Sequence, residues 1–170
     1  GGTNAISALL EVPGASNTIL ESHIPYSKES MNSFLNKKPD HYCSLDTCLN
    51  MAANAFKKSK QIDTTSKTKH LLGISITANL ATTYEKKGDH KFFIVVQAYD
   101  YTKYLECYLD EGKRTREEEE ELITACVISL LADSCGFEYS IPEIDEDISI
   151  NKVAACLLYT SPSPRDSMTS

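Results

Sequence analysis

No apolar run in this chain of 170 residues approaches the length of a membrane-spanning helix, and no Cys-x-x-Cys pair or His spacing is set to hold zinc. No internal repeat and no secretory signal pattern are visible. Basic charge is also short: 17 Lys and Arg stand against 24 Asp and Glu, a formal net charge of −7. An acidic chain without a concentrated basic face is poorly suited to general nucleic-acid binding, and the cluster Lys57, Lys58 and Lys60 reads as a solvated helix end. The cysteines Cys43, Cys48, Cys107, Cys126, Cys135 and Cys156 are scattered, as in a reducing compartment, so a cytoplasmic protein is expected. Neither a metal nor another cofactor is called for by any motif. Self-association is left open.

The pattern of apolar residues supplies the elements. Ile6, Leu9 and Leu10 share a helical face that Pro13-Gly14 closes. Thr18 to Ile24 reads as a short strand bounded by Pro25, and Ser27 can N-cap a helix bearing Met31, Phe34 and Leu35. Ser44 opens a long helix to about Ser59, with Leu45, Cys48, Leu49, Ala52, Ala55 and Phe56 recurring on one side. Asp63 to Lys69 is a surface loop, Leu71 to Ile76 a central strand, and Thr77 to Asp89 an irregular loop. Phe92 to Tyr99 and Tyr101 to Leu109 form a hairpin. A helix from Arg114 to Cys135 begins with the acidic turn Glu117 to Glu121, expected to be solvated and favoured by the helix dipole, and Gly136 ends it.

The opening residues carry a family resemblance. Gly1-Gly2, an apolar helix, Pro13-Gly14-Ala15-Ser16, nine residues and Tyr26-Ser27 are similar to the C-terminal domain of the CinA family, which includes the nicotinamide-nucleotide amidases. That family shows Ser-x-Thr-Gly-Gly, Pro-Gly-Ser-Ser and Tyr-Ser-Asn-x-x-Lys at comparable spacing. Cys43-Ser44, Met51-Ala52 and Ala55 resemble a further helix of the family, and the likeness runs loosely over Gly1 to Gly136. It implies a three-layer α/β/α sandwich on a mixed sheet, in agreement with the alternation of helices and apolar strands. It also implies hydrolysis of the carboxamide of nicotinamide mononucleotide.

Amide hydrolysis needs a base, oxyanion donors and an acid for the leaving ammonia. The resemblance assigns Tyr26 a catalytic role and makes Gly1, Gly2, Ser16, Thr77, Asn79 and Arg114 the expected nucleotide contacts, with Ser16, Tyr26 and Thr77 to Asn79 converging at one sheet edge. The family Ser would lie upstream of Gly1. Met31 stands where the family has Lys, and Lys28 where it has Asn. The family's Gly-rich phosphate loop corresponds to Thr77 to Thr83, which has no glycine; only Gly88 remains nearby. These departures leave two readings: an amidase-like enzyme of low activity, or a silent module that binds a nucleotide or a protein partner. Tyr26 has the alternative of a half-buried aromatic, and Arg114 and Arg116 that of pairing with the following glutamates. His23 and His90 read as surface or turn histidines, His90 being the better candidate of the two.

Residues 1–137 are thus expected to form the domain and 138–155 a linker towards a missing neighbour. Cys156 to Asp166 matches a translated sequencing adapter, so 156–170 is expected to be a non-native tail and the chain a translated fragment.

Overall fold

The computed structural model describes residues 1–83 and 89–154. Gly88 and the adapter-like tail lie outside them. In chain order come α1 (Thr3–Leu10), α2 (Lys28–Leu35), α3 (Leu45–Ile62), β1 (Gly73–Asn79), β2 (Lys91–Gln97), β3 (Tyr101–Tyr108), α4 (Arg116–Ser134) and β4 (Asp147–Ala154). Three helix starts are fixed by local chemistry. The hydroxyls of Ser27 and Ser44 accept the amides of Ser30 and Thr47, and Thr115 forms a reciprocal capping box with Glu118.

β2 is the centre of the molecule, because both of its faces are buried. Phe92, Ile94 and Val96 face Ile123, Cys126, Val127 and Leu130 of α4, while Phe93 and Val95 face Cys48 and Ala52 of α3. The period-two alternation of a strand therefore divides one apolar run between two helical partners. α1 packs on α4, and α2 packs on α3 through Met31, Leu35 and Met51. Burial pushes the thiols of Cys48, Cys107 and Cys126 up to about 12, so they serve as neutral core groups.

The chain is α/β, but its sheet is not mixed. The strand order is β1-β2-β3-β4, and every pairing is antiparallel. A parallel pair needs a crossover connection, and the strand that would have supplied one, Thr18 to Ile24, does not form. Its middle is Glu21-Ser22-His23 and its end is Pro25, so it gains little by entering a core. The remaining strands follow one another, and the short connection between β2 and β3 favours antiparallel neighbours.

The stretch expected to be a linker is also different. β4 pairs along its whole length with β3, from Tyr101↔Ala154 to Tyr108↔Asp147. Ile141, Ile144, Ile148 and Ile150 pack against the α4-side core. Alternation of Ile148 and Ile150 with Ser149 and Asn151 is what a half-buried edge strand requires, and the acidic residues around it concealed that period. The sheet therefore extends to Ala154.

Candidate functional site

The acidic start of α4 gathers more of the chain than any other polar feature. Of Glu117 to Glu121, two are buried: Glu119 is 1% exposed and Glu120 7%. This corrects the expectation of a wholly solvated turn. Each buried carboxylate holds a backbone amide from a distant segment. Glu119 Oε2 accepts Ala81 N–H at 2.6 Å, and Glu120 Oε2 accepts Gly2 N–H at 2.8 Å. Arg116 stitches the same place together, with Nε 3.4 Å from Glu120 Oε1 and Nη1 donating to Ala81 O at 3.2 Å. His90 completes it: its Nδ1 lies 3.5 Å from Glu119 Oε1, has no hydrogen-bond partner, and belongs to a side chain only 6% exposed. Such amide contacts are what a carboxylate near a helix start can do when the neighbouring chain supplies donors.

The second of the opening glycines is required by packing at this clasp. Gly2 has φ 96°, and a Cβ there would stand 2.7 Å from Ile76 Cγ2. The Gly pair thus lies on β1 and gives an amide to Glu120, which places these expected nucleotide contacts against protein.

The other expected site residues are dispersed. Tyr26 is 85% exposed, and Ser16 is exposed in the 3-10 turn Ala15–Asn17. Thr77 and Asn79 belong to β1, which continues three residues past the expected strand end into the expected loop. Thr77 Oγ1 donates to Tyr42 O at 2.8 Å, and Asn79 Nδ2 to Asp89 O at 2.8 Å. Among the described residues no hydrogen bond, ion pair or ring contact joins Ser16 or Tyr26 to either. The structure instead brings Gly1, Gly2, Leu80 and Ala81 together with His90 and α4. Met31, at the family's Lys position, is buried with Leu35 and Met51.

Arg114 makes a two-pronged contact, but with protein. Its Nη1 and Nη2 donate to Glu146 Oε2 and Oε1 at 2.6 and 2.7 Å, and the Glu146 side chain is fully buried. Sequence reasoning missed Glu146 because it lies in the presumed linker; the isoleucine alternation just after it was the available signal. The Arg114 guanidinium, with the Asp110 amide and Lys113, holds the Glu146 carboxyl at about 2. A depressed carboxyl stabilises the fold above its unfolded pKa of about 4.3 and ceases to do so as pH falls through its folded value. Acidification from about pH 4.3 towards 2 should therefore lower the melting temperature steeply. Glu146→Gln should cost on the order of 2–3 kcal/mol at neutral pH and flatten that acid limb. Melting curves of both proteins from neutral to acid pH check this; two parallel profiles would contradict it.

Two surface clefts, of about 480 and 430 Å³, are lined by Asp133 with Gly136 to Tyr139, and by α1 with α4. Neither includes Tyr26, Thr77, Arg114, His90 or Glu119. Among the described residues no group of three metal-ligating side chains occurs, and no helix is long and apolar enough to cross a membrane. No family model, curated protein or solved structure matches the chain.

Proposed function

We propose that this chain is a divergent nicotinamide-nucleotide amidase-like domain, a three-layer α/β/α relative of the CinA C-terminal domain, whose amidase chemistry has been lost and which serves as a silent binding module. The observation that carries the reading is the burial of Met31. The residue five positions after Tyr26 is packed with Leu35 and Met51, so the place that would hold a basic amine in the amidases holds a thioether inside an apolar cluster. A thioether can neither take a proton from a nucleophile nor stabilise an anion.

Between a nucleotide and a protein as its ligand, the donors favour the protein. Arg114 is engaged by Glu146, the Gly2 amide by Glu120 and the Ala81 amide by Glu119. A phosphate would have to displace a carboxylate at each of them. None of the described cysteines is in a disulfide, in keeping with a reducing, cytoplasmic setting.

The test is ammonia release from nicotinamide mononucleotide by the purified full-length protein, beside a Lys-bearing amidase and the Met31→Lys variant. Turnover should be slower than that of the amidase by ~100-fold or more, the scale of losing a general base. Met31→Lys should lower stability without restoring turnover, because its ammonium would be placed among apolar side chains. Wild-type turnover equal to that of the amidase would overturn the reading.

A further inference from the structure

The chain contains two halves of a strand pairing that it does not make with itself. The first is Leu20 to Tyr26. After Ile19 N–H, which donates to Ala15 O, no backbone hydrogen bond reaches this stretch from the described residues. Its sequence nevertheless alternates with the period of a strand. In an extended conformation Leu20, Ile24 and Tyr26, 43%, 57% and 85% exposed, fall on one side with Ser22, while Glu21 and His23 fall on the other. Pro25 has no amide, so of the two edges only the one carrying the amides of Leu20, Ser22, Ile24 and Tyr26 has an unbroken row of donors.

The second half is the outer edge of β4. β4 ends the strand order, pairs only with β3, and among the described residues its other edge meets no backbone. Ile148 and Ile150 are packed on the α4-side core from one direction but remain partly exposed. An unpaired edge eight residues long, without proline, is a template for a further strand.

The two halves do not meet within one molecule. Leu20 to Tyr26 is stretched between α1, whose first residues lie on β1, and α2, which packs on α3. β4 is three strand spacings, ~14 Å, from β1. We infer that the Leu20 to Tyr26 segment of one copy adds as a fifth strand to the β4 edge of a second copy, and that the exchange is reciprocal. Run antiparallel, it sets Ile24 beside Ile150 and Tyr26 beside Ile148, covering the two partly exposed isoleucines. Reciprocal addition gives a closed two-fold pair and leaves neither segment over.

Sedimentation and light scattering of the full chain over a wide dilution series should show a dimer that dissociates. Amide exchange should slow with rising concentration both in Leu20 to Tyr26 and in Asp147 to Ala154. Leu20→Asp with Ile24→Asp, and separately Ser149→Lys with Asn151→Lys on the exposed positions of β4, should each abolish the dimer while circular dichroism is retained. A wild-type monomer at every concentration would overturn the inference, as would a dimer that survives the segment substitutions. Loss of the dimer in the segment variant alone would overturn β4 as the acceptor. Should either variant fail to fold, the concentration-dependent exchange of the wild-type chain decides, since protection absent from both stretches overturns the proposal.

Discussion

Gly73→Ala is expected to destabilise the protein by about 3 kcal/mol or more, a large part of a typical domain's stability. The reason is a close approach of backbone to backbone. A Cβ at position 73 would lie 2.3 Å from Phe56 N and 2.4 Å from Ala52 O, so the first residue of β1 rests directly on α3 with no side chain between them. A flexible side chain could turn away from such a methyl group, but helix backbone cannot. To make room, α3 must lift from β1, and with it go contacts of Cys48 and Ala52 with Phe93 and Val95. The effect should spread accordingly, with faster amide exchange in both α3 and β1. Urea denaturation of the variant beside wild type measures the loss. A difference under about 1 kcal/mol would mean that the two elements separate at little cost and that the close contact is not a constraint.

That contact shows why part of the fold was legible and part was not. Helices and strands whose burial follows a simple period could be read directly. Cys48, Ala52 and Phe56 in α3, and Ile123, Cys126, Val127 and Leu130 in α4, are the residues whose spacing marked an inner face. The caps at Ser27 and Ser44 depend only on residues three positions apart, so local sequence contains them. Whether Thr18 to Ile24 enters the sheet depends instead on competition with other strands for an edge, which no local pattern records. β4 was hidden for a related reason: its two isoleucines lie among Asp and Glu residues, and their value becomes clear only beside Leu105 and Cys107 of β3. The candidate site was the least legible. A run of five glutamates looks solvated until one knows that distant amides from Gly2 and Ala81 reach two of them. Thr77 and Asn79 were placed by a resemblance in a loop that this chain builds as strand, where their side chains bond to Tyr42 and Asp89.

Glu119→Ala should cost about 3–5 kcal/mol, although the residue lies in a run of acids that composition alone would treat as interchangeable. The side chain is almost fully buried, and both oxygens have a task. Oε2 receives the Ala81 amide, and Oε1 lies 3.5 Å from the unpartnered Nδ1 of His90. Truncation leaves the part-buried Ala81 amide without its acceptor, removes the carboxylate that faces the buried His90 ring and opens a cavity beneath the first turns of α4. Glu119→Gln keeps the shape and one carbonyl oxygen, so roughly half of the loss should be recovered. The exposed Glu117 and Glu121 provide the contrast, since alanine at either should change stability by no more than about 0.5 kcal/mol. A double-mutant cycle of Glu119→Gln with His90→Asn then isolates the contact between the two side chains. Coupling above about 0.5 kcal/mol is expected for groups this close and this dry. Equal stabilities for Glu119→Ala and Glu117→Ala would show that the clasp at the head of α4 contributes nothing, and that the chain holds Ala81 and His90 by other means.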